Sequence, residues 1–265
     1  MNQPPRGTIQ SLNGVLDRMG SSDEVVVLQV DDQSDLCYLI RDFVESERDH
    51  LSIRSETDPN TALDRVQSED DRFDCIVSDY DMPGLDGLEF LEAVRSDDPD
   101  IPFILFTGKG SEEIASEAIS VGVTDYIQKG GGRETFEMLA NRIENAAAHY
   151  LAEKETQRVL QTIERAREGI SLIDAEGQFF YLNHAYAEIV GYPRDQLIGE
   201  HWDVLYPDGA ADDMKDNILP HVSAVGRWEG YSTFEQQGGA SIVVDHGLSY
   251  TTEGDLVCTI QPAQK

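Results

Sequence analysis

The sequence predicts two domains of different class: an α/β domain on a doubly wound, five-stranded parallel sheet, joined by a long helix to a smaller α+β domain with an antiparallel sheet. Three observations carry this expectation. From residue 25 to residue 133, short apolar runs alternate with stretches of helical periodicity, and repeated strand–helix units require a parallel sheet covered on both faces. Residues 134–166 contain neither Pro nor Gly. From Gly169 the texture changes to short β-rich runs separated by Gly-containing turns. A chain of 265 residues is long enough for two domains of ordinary size.

Residues 1–22, with Pro4, Pro5, Gly7, Gly14 and Gly20, read as a flexible lead-in. Val25-Val26-Val27-Leu28-Gln29-Val30 is a β-rich run suited to a strand buried on both faces. Leu36, Leu39, Ile40, Phe43 and Val44 then form one apolar stripe of a helix. Leu51-Ser52-Ile53 is a weaker strand. Asp58-Pro59 is a helix cap with proline in the first turn, backed by Ala62, Leu63 and Val66. Phe73 to Val77 predicts a strand, Leu88, Leu91 and Val94 a helix, and Pro102 to Phe106 a strand. Ser111, Glu112 and Glu113 open a helix bearing Ile114, Ala118 and Ile119, which Gly122 closes. Asp125 to Gln128 is the last short strand, so the core of the first domain spans residues 23–133. Five units in this length fit the flavodoxin-like strand order 2-1-3-4-5 and not a closed barrel of eight.

The helix over residues 134–166 runs past the point where a domain would end. Leu139, Ile143, Ala146 and Tyr150 are spaced like a coiled-coil seam, and Leu160 and Ile163 resume it after polar Glu153 and Gln157. Two outcomes fit this pattern: a homodimer through the connecting helix, or a helix lying on its own domain. In residues 167–265, Ile170–Asp174 and Gln178–Leu182 flank the hairpin turn Ala175-Glu176-Gly177. A helical stretch with Tyr186, Ile189 and Val190 ends at Gly191. Three β-rich runs follow, around Gly226–Glu235, Ser241–Tyr250 and Leu256–Ile260. Trp202, Trp228, Tyr231 and Phe234 are expected in the core.

The 51 acidic and 20 basic residues give a formal charge of −31. A field of that sign repels phosphate backbones and anionic lipid heads, so neither nucleic acid nor membrane is an expected partner. Acidic residues spread along the whole chain suit a salt-rich cytoplasm that screens their repulsion. Cys37, Cys75 and Cys258 show neither a disulfide framework nor metal spacing, as expected of reduced thiols. No segment approaches the ~20 apolar residues of a membrane span. The start, MNQPPRGTIQ, lacks the pattern of a signal peptide. The expected location is cytoplasmic.

The informative polar residues stand where the apolar strands end. In a doubly wound sheet, ligands bind outside the carboxyl ends of the strands, where the strand order reverses. Strand one ends in Asp31-Asp32, strand three in Asp79, strand four in Thr107 and strand five in Lys129. Three crowded carboxylates repel one another and would take up protons unless a cation intervenes, and a hard divalent ion such as Mg²⁺ takes carboxylates, waters and a phosphate oxygen. Asp79 beside that ion is a plausible nucleophile toward phosphorus. Thr107 can donate to one phosphoryl oxygen and Lys129 can neutralise another.

Val25–Asp32, Ser78-Asp79-Tyr80-Asp81-Met82-Pro83-Gly84-Leu85-Asp86-Gly87, Phe106-Thr107-Gly108 and Tyr126-Ile127-Gln128-Lys129 together resemble the receiver domain of two-component response regulators, over about residues 23–145. The resemblance implies that Asp79 is the phosphoacceptor. It implies that Asp32 and Asp79 bind Mg²⁺ directly, that Asp31 assists, and that the backbone carbonyl of Asp81 completes the metal site. Thr107 and Lys129 would detect the phosphoryl group, and Tyr126 would be the aromatic switch. Gly108 leaves the phosphoryl entrance unobstructed. Two departures stand out. Gly130-Gly131-Gly132 follows Lys129 where the family usually has proline, which loosens the lysine's loop. Asp81 and Lys109 flank the path of an attacking water and are expected to tune phosphoryl lifetime. Asp79-Tyr80-Asp81 also resembles the nucleophile motif of haloacid-dehalogenase-type phosphatases, but here the paired aspartates precede it and no cap insertion follows.

Residues from about 158 to 265 resemble a PAS domain through Gly169–Asp174, Tyr181-Leu182-Asn183-His184-Ala185-Tyr186, Gly191–Gly199 and the closing Leu256–Gln261 strand. Its ligand is unknown. A flavin photoadduct would need a cysteine just after an asparagine, where His184 stands. Haem would need an axial ligand, for which His184, His201 and His221 are secondary candidates. The expected whole is a phosphorelay protein and not an enzyme beyond self-catalysed phosphotransfer and dephosphorylation. Its partners would be a sensor histidine kinase, a phosphotransfer protein or a small phosphodonor. With no residues left for a DNA-reading or kinase module, output would pass to a protein partner, unless the chain is part of a longer kinase. The alternative is a PAS-based ligand or protein-binding module whose receiver is a degenerate dimerisation platform.

Overall fold

The computed structural model describes residues 24–263 except 69, 109–111, 131 and 208. The expected lead-in at 1–22, the Ser111 helix start and Lys109 therefore lie outside the described residues. The chain divides into two compact units between Lys154 and Glu155.

The first unit alternates strand and helix: β1 (Val25–Val30), α1 (Ser34–Glu47), β2 (Leu51–Glu56), α2 (Pro59–Val66), β3 (Cys75–Ser78), α3 (Gly87–Asp97), β4 (Phe103–Thr107), α4 (Glu112–Val121), β5 (Asp125–Gln128) and α5 (Arg133–Glu164), which continues into the second unit. The strands pair in parallel in the order β2-β1-β3-β4-β5. That is the flavodoxin-like order read from the sequence.

Alternation along the strands makes two cores. Leu28, Ile76 and Phe103 face α2, α3 and α4, where Ala62, Phe90, Leu91 and Ala118 close the layer. Val27, Cys75 and Ile104 face α1 and α5 and pack on Ile40, Val44, Leu139 and Ile143. Local chemistry sets the helix starts: Asp58 accepts the N–H groups of Asn60 and Thr61, and Asp86 with Glu89 forms a capping box on α3. β3 begins at Cys75, not Phe73; just before it the Asp74 N–H donates to the Val26 carbonyl (2.7 Å), while the Val26 N–H goes to the Asp74 carboxylate (3.0 Å) and not to a backbone carbonyl.

The coiled-coil spacing in α5 has a domestic use. Leu139, Ala140, Ile143 and Ala147 are buried on the α1 side of the sheet, while Tyr150 reaches the opposite core. Leu160, farther along, is exposed.

The second unit contains β6 (Gly169–Ile173), β7 (Phe179–Leu182), α6 (His184–Val190), α7 (Arg194–Leu197), a 3₁₀ turn (Trp202–Leu205), α8 (residues 211–225), β8 (Arg227–Glu235), β9 (Ser241–Tyr250) and β10 (Leu256–Pro262). Its sheet is antiparallel with the order β7-β6-β10-β9-β8. Within α8 a π turn, Met214–Ile218, precedes Pro220: Leu219 N–H bonds Met214 O, and the missing proline N–H breaks the regular ladder. Phe234, Val244, Leu248 and Ile260 fill the core with Phe179, Tyr186 and Trp202. Tyr231, expected inside, is 73 % exposed, because Ser232 and Phe234 occupy the inward positions of β8.

Asn183 is the buried node of this unit. Its Nδ2 donates to the carbonyls of Ile163 and Glu168 (2.9 Å each), and its Oδ1 accepts from the N–H groups of Ile170 and Tyr186 (2.9 Å each). One amide thus ties the end of α5 to β6 and α6.

Candidate functional site

β1 and β3 are neighbours at the reversal of strand order, and each releases an aspartate at its carboxyl end. Asp31 (2 % exposed) and Asp79 (5 %) are buried there, while Asp32 is exposed. Ligand oxygens of Asp31, Asp32 and Asp79 all lie within 4.8 Å of one another. Lys129, just past β5, places Nζ 2.7 Å from Asp31 Oδ2 and 2.8 Å from Asp79 Oδ2. Asp31 Oδ1 accepts the Gln33 N–H (3.0 Å), and Asp79 Oδ1 accepts the Tyr80 N–H (2.7 Å).

Burial pushes the Asp31 carboxyl above its usual range, even though Lys129 and the Gln33 N–H pull it down. Burial also opposes the Lys129 ammonium, but hydrogen bonds to Asp31 and Asp79 outweigh it and raise its pKa. Thr107 ends β4 fully buried, Tyr126 on β5 is half-buried, and Asp81 is exposed. At Gly108 a Cβ would meet nothing within 4 Å.

Three carboxylates and one ammonium leave the pocket a formal −2, which one divalent cation cancels. All the donors are hard oxygens, two of them on buried side chains, which is the ligand chemistry of Mg²⁺. The residues present fit that ion.

Two supports of the pocket escape sequence reading. Gly87 must lack a side chain, since a Cβ there would overlap the Asp79 backbone oxygen and approach Tyr80 Cα to 2.9 Å. Gln29 shares a face of β1 with Asp31, one alternation below it. Its Oε1 accepts from Ser55 Oγ (3.0 Å), while its buried Nε2 has no hydrogen-bond partner among the described residues. A polar residue inside an otherwise apolar strand is the only sequence signal for it.

The second unit encloses a cavity of about 20 Å³, room for one water. His246, Cys258 and Tyr186 are among its lining residues and are bonded in a chain: His246 Nε2 meets Cys258 Sγ (3.1 Å), Tyr186 Oη lies 3.7 Å from that sulfur, and His246 Nδ1 meets Ser232 Oγ (2.8 Å) behind the lining. Burial lowers the His246 pKa to about 4 and raises that of Cys258 to about 12, so both are neutral near pH 7. His184 and His201 line none of it; they sit in surface pairs with Glu188 and Asp203.

Residues 27–144 match the response regulator receiver domain and residues 154–262 match the PAS fold. The chain carries a receiver domain followed by a PAS domain. The bacterioopsin transcriptional activator of Halobacterium salinarum is 28 % identical over 154 residues, covering 52 % of this chain and 22 % of that protein. The cyclic di-GMP phosphodiesterase response regulator RpfG of Xanthomonas campestris pv. campestris is 37 % identical over 105 residues, 39 % of this chain and 27 % of RpfG. The receiver–PAS chain thus spans about a quarter of the length of these curated relatives. Among solved structures, the chemotaxis response regulator CheY4 of Vibrio cholerae is similar with 30 % identity and a TM-score of 0.41, covering 45 % of this chain and 98 % of CheY4. A receiver joined to a PAS domain indicates two-component signalling. No helix among the described residues is long and apolar enough to cross a membrane.

Proposed function

We propose that this receiver–PAS chain is a phosphorelay protein whose Asp79 carboxylate takes a phosphoryl group from a histidine kinase, a phosphotransfer protein or a small phosphodonor. The observation that supports it most is Lys129 bridging the buried Asp31 and Asp79 beside Asp32. One Asp79 oxygen forms the new O–P bond as the donor's bond to phosphorus breaks, leaving an aspartyl phosphate. Asp31, Asp32, Asp79 and the Asp81 carbonyl would hold Mg²⁺. When bound, the ion supplies charge neutralisation for the phosphoryl oxygens. Lys129 then exchanges one carboxylate partner for a phosphoryl oxygen, and the Thr107 hydroxyl donates to another. Tyr126 reports the change by altering its rotamer, while Asp81 and Lys109 set how readily water removes the phosphoryl group. The core at 23–133 receives the signal, the helix at 134–166 carries it, and the PAS domain at 167–265 passes it to a protein partner in the cytoplasm.

Incubation with acetyl phosphate and Mg²⁺ is expected to give an acid-stable, hydroxylamine-labile adduct that Asp79→Ala abolishes. No adduct with a competent donor, or one that survives Asp79→Ala, refutes the reading. The alternative reading, a PAS-based ligand or protein-binding module, gains no support from a cavity with room for one water, and none of the haem-ligand candidates His184, His201 and His221 lines it.

A further inference from the structure

From Phe136 to Ala147, α5 packs on the α1 side of the receiver, but Tyr150 crosses to the opposite core, where it is 3 % exposed. Its hydroxyl donates to Asp98 Oδ2 at 2.7 Å. Lys154, one turn on, donates to the same oxygen at 3.0 Å, and its ammonium sits 4.3 Å from the centre of the Tyr150 ring. The first unit ends at Lys154.

Asp98 has a second duty. It follows α3, and its Oδ1 accepts the N–H groups of Asp100 and Ile101 at 3.1 Å each, closing the turn that feeds β4. Arg95 secures the same turn by donating to the Ile101 carbonyl at 2.7 Å. Burial works against the Asp98 charge, but the donors from Tyr150 and Lys154 outweigh it and hold its carboxyl below the usual range. One carboxylate therefore binds both the turn that leads into β4 and the end of the receiver's share of α5. The other end of β4, at Thr107, is the end that contributes to the acidic pocket.

We infer that Asp98 is the joint at which the receiver holds and releases the helix leading to the PAS domain, with β4 linking that joint to Thr107. Holding follows from the contacts alone; release on phosphorylation rests on the phosphoacceptor reading of Asp79. A carboxylate suits this duty because its two oxygens serve two elements, so a shift of the β4 turn changes the geometry offered to Tyr150 and Lys154. The separation of partners predicts what each substitution does. Tyr150→Phe keeps the ring in the core and removes only the donor, whereas Asp98→Asn weakens both sides of the joint.

Hydrogen–deuterium exchange of the full chain, resolved by mass spectrometry over residues 147–158, tests it. Without phosphodonor, Tyr150→Phe is expected to speed exchange there about tenfold or more, the worth of a hydrogen bond to a charged group, while residues 137–145 stay protected. Asp98→Asn should do the same and also loosen residues 99–103. Unchanged exchange over 147–158 in both variants overturns the joint. With Mg²⁺ and acetyl phosphate, the wild-type chain should exchange faster over 147–158 and Tyr150→Phe should show little further change. If Asp79 carries the phosphoryl group and the wild-type segment does not respond, phosphorylation-linked release is wrong while the phosphoacceptor reading stands. If Asp79 is never labelled, the phosphoacceptor reading falls and takes the linked release with it, leaving the joint to be judged by the unphosphorylated variants.

Discussion

Acid should unfold the PAS domain through one residue, His246. Its ring is 3 % exposed, bonded to Ser232 and Cys258, and flanked by Trp228 and Phe234. Burial moves its pKa from the usual 6.5 to about 4. The groups nearest it, Cys258 with a pKa raised to about 12 and Tyr186 raised well above 10, stay neutral throughout acid titration. The folded domain accepts only the neutral imidazole, so protonation favours the unfolded chain. The stabilisation is whole above pH 6.5 and is lost as pH falls from 6.5 to 4, at about 1.4 kcal/mol per pH unit. A shift of about 2.5 units corresponds to about 3 kcal/mol, a large part of a small domain's stability. Trp202 and Trp228 are the chain's two tryptophans, and both lie in the PAS domain, so urea unfolding followed by their fluorescence reads this unit. Titrating carboxylates add to any acid effect, which makes the comparison with His246→Gln decisive. The wild-type chain should lose about 3 kcal/mol more than the variant between pH 7 and pH 4. Parallel losses in the two proteins would refute the assignment.

Three further substitutions probe the supports of the fold. Gln29→Leu removes a buried amide with an unpartnered Nε2 and should stabilise the receiver by about 1 kcal/mol in urea unfolding followed by circular dichroism; a loss of stability would mean that the amide has a partner in solution. Gly87→Ala forces a Cβ against the Asp79 carbonyl and should cost about 1–3 kcal/mol while slowing phosphoryl labelling of Asp79. Asn183→Ala removes four hydrogen bonds at the junction of α5, β6 and α6, and should cost about 3 kcal/mol by tryptophan fluorescence; a change below 1 kcal/mol contradicts its place as the node.

Much of the pocket was legible because its polar residues interrupt apolar strands at their carboxyl ends. The Asp31-Asp32 pair, Asp79 and Lys129 are distant in sequence, yet strand order alone brings them to one sheet edge. Roles that depend on side-chain reach were not legible. The spacing of Leu139, Ile143 and Tyr150 fits a dimer seam as well as a docked helix, and only the receiver's own sheet decides between them. Asp98 reads as one more surface acid in a chain with 51 acidic residues, and nothing local marks its bond to Tyr150, 52 residues away. His246 alternates with Val244 and Leu248 on the inward face of β9, so its burial was readable. Its pairing with Cys258 was not, because that depends on the register in which β9 meets β10. Tyr231 shows the reverse error: aromatic character suggested the core, but strand alternation turned it out.

Charge separates the two domains' interiors more sharply than fold does. The receiver gathers three carboxylates and one ammonium at one sheet edge and leaves them a formal two charges short of balance, a deficit that a divalent cation or proton uptake would relieve. The PAS domain buries a thiol, an imidazole, a hydroxyl and a phenol, all uncharged near neutral pH, and bonds them to one another. A charged phosphoryl ligand would be costly inside that second core, and an uncharged ligand would leave the first pocket's imbalance untouched. The two interiors therefore suit groups of opposite character. On the phosphorelay reading, α5 is the stretch of chain that joins the two domains, and Asp98, bonded to Tyr150, and Asn183, bonded to the Ile163 carbonyl, hold it at two points. Substitution at either is expected to weaken the coupling while leaving the acidic pocket's residues in place.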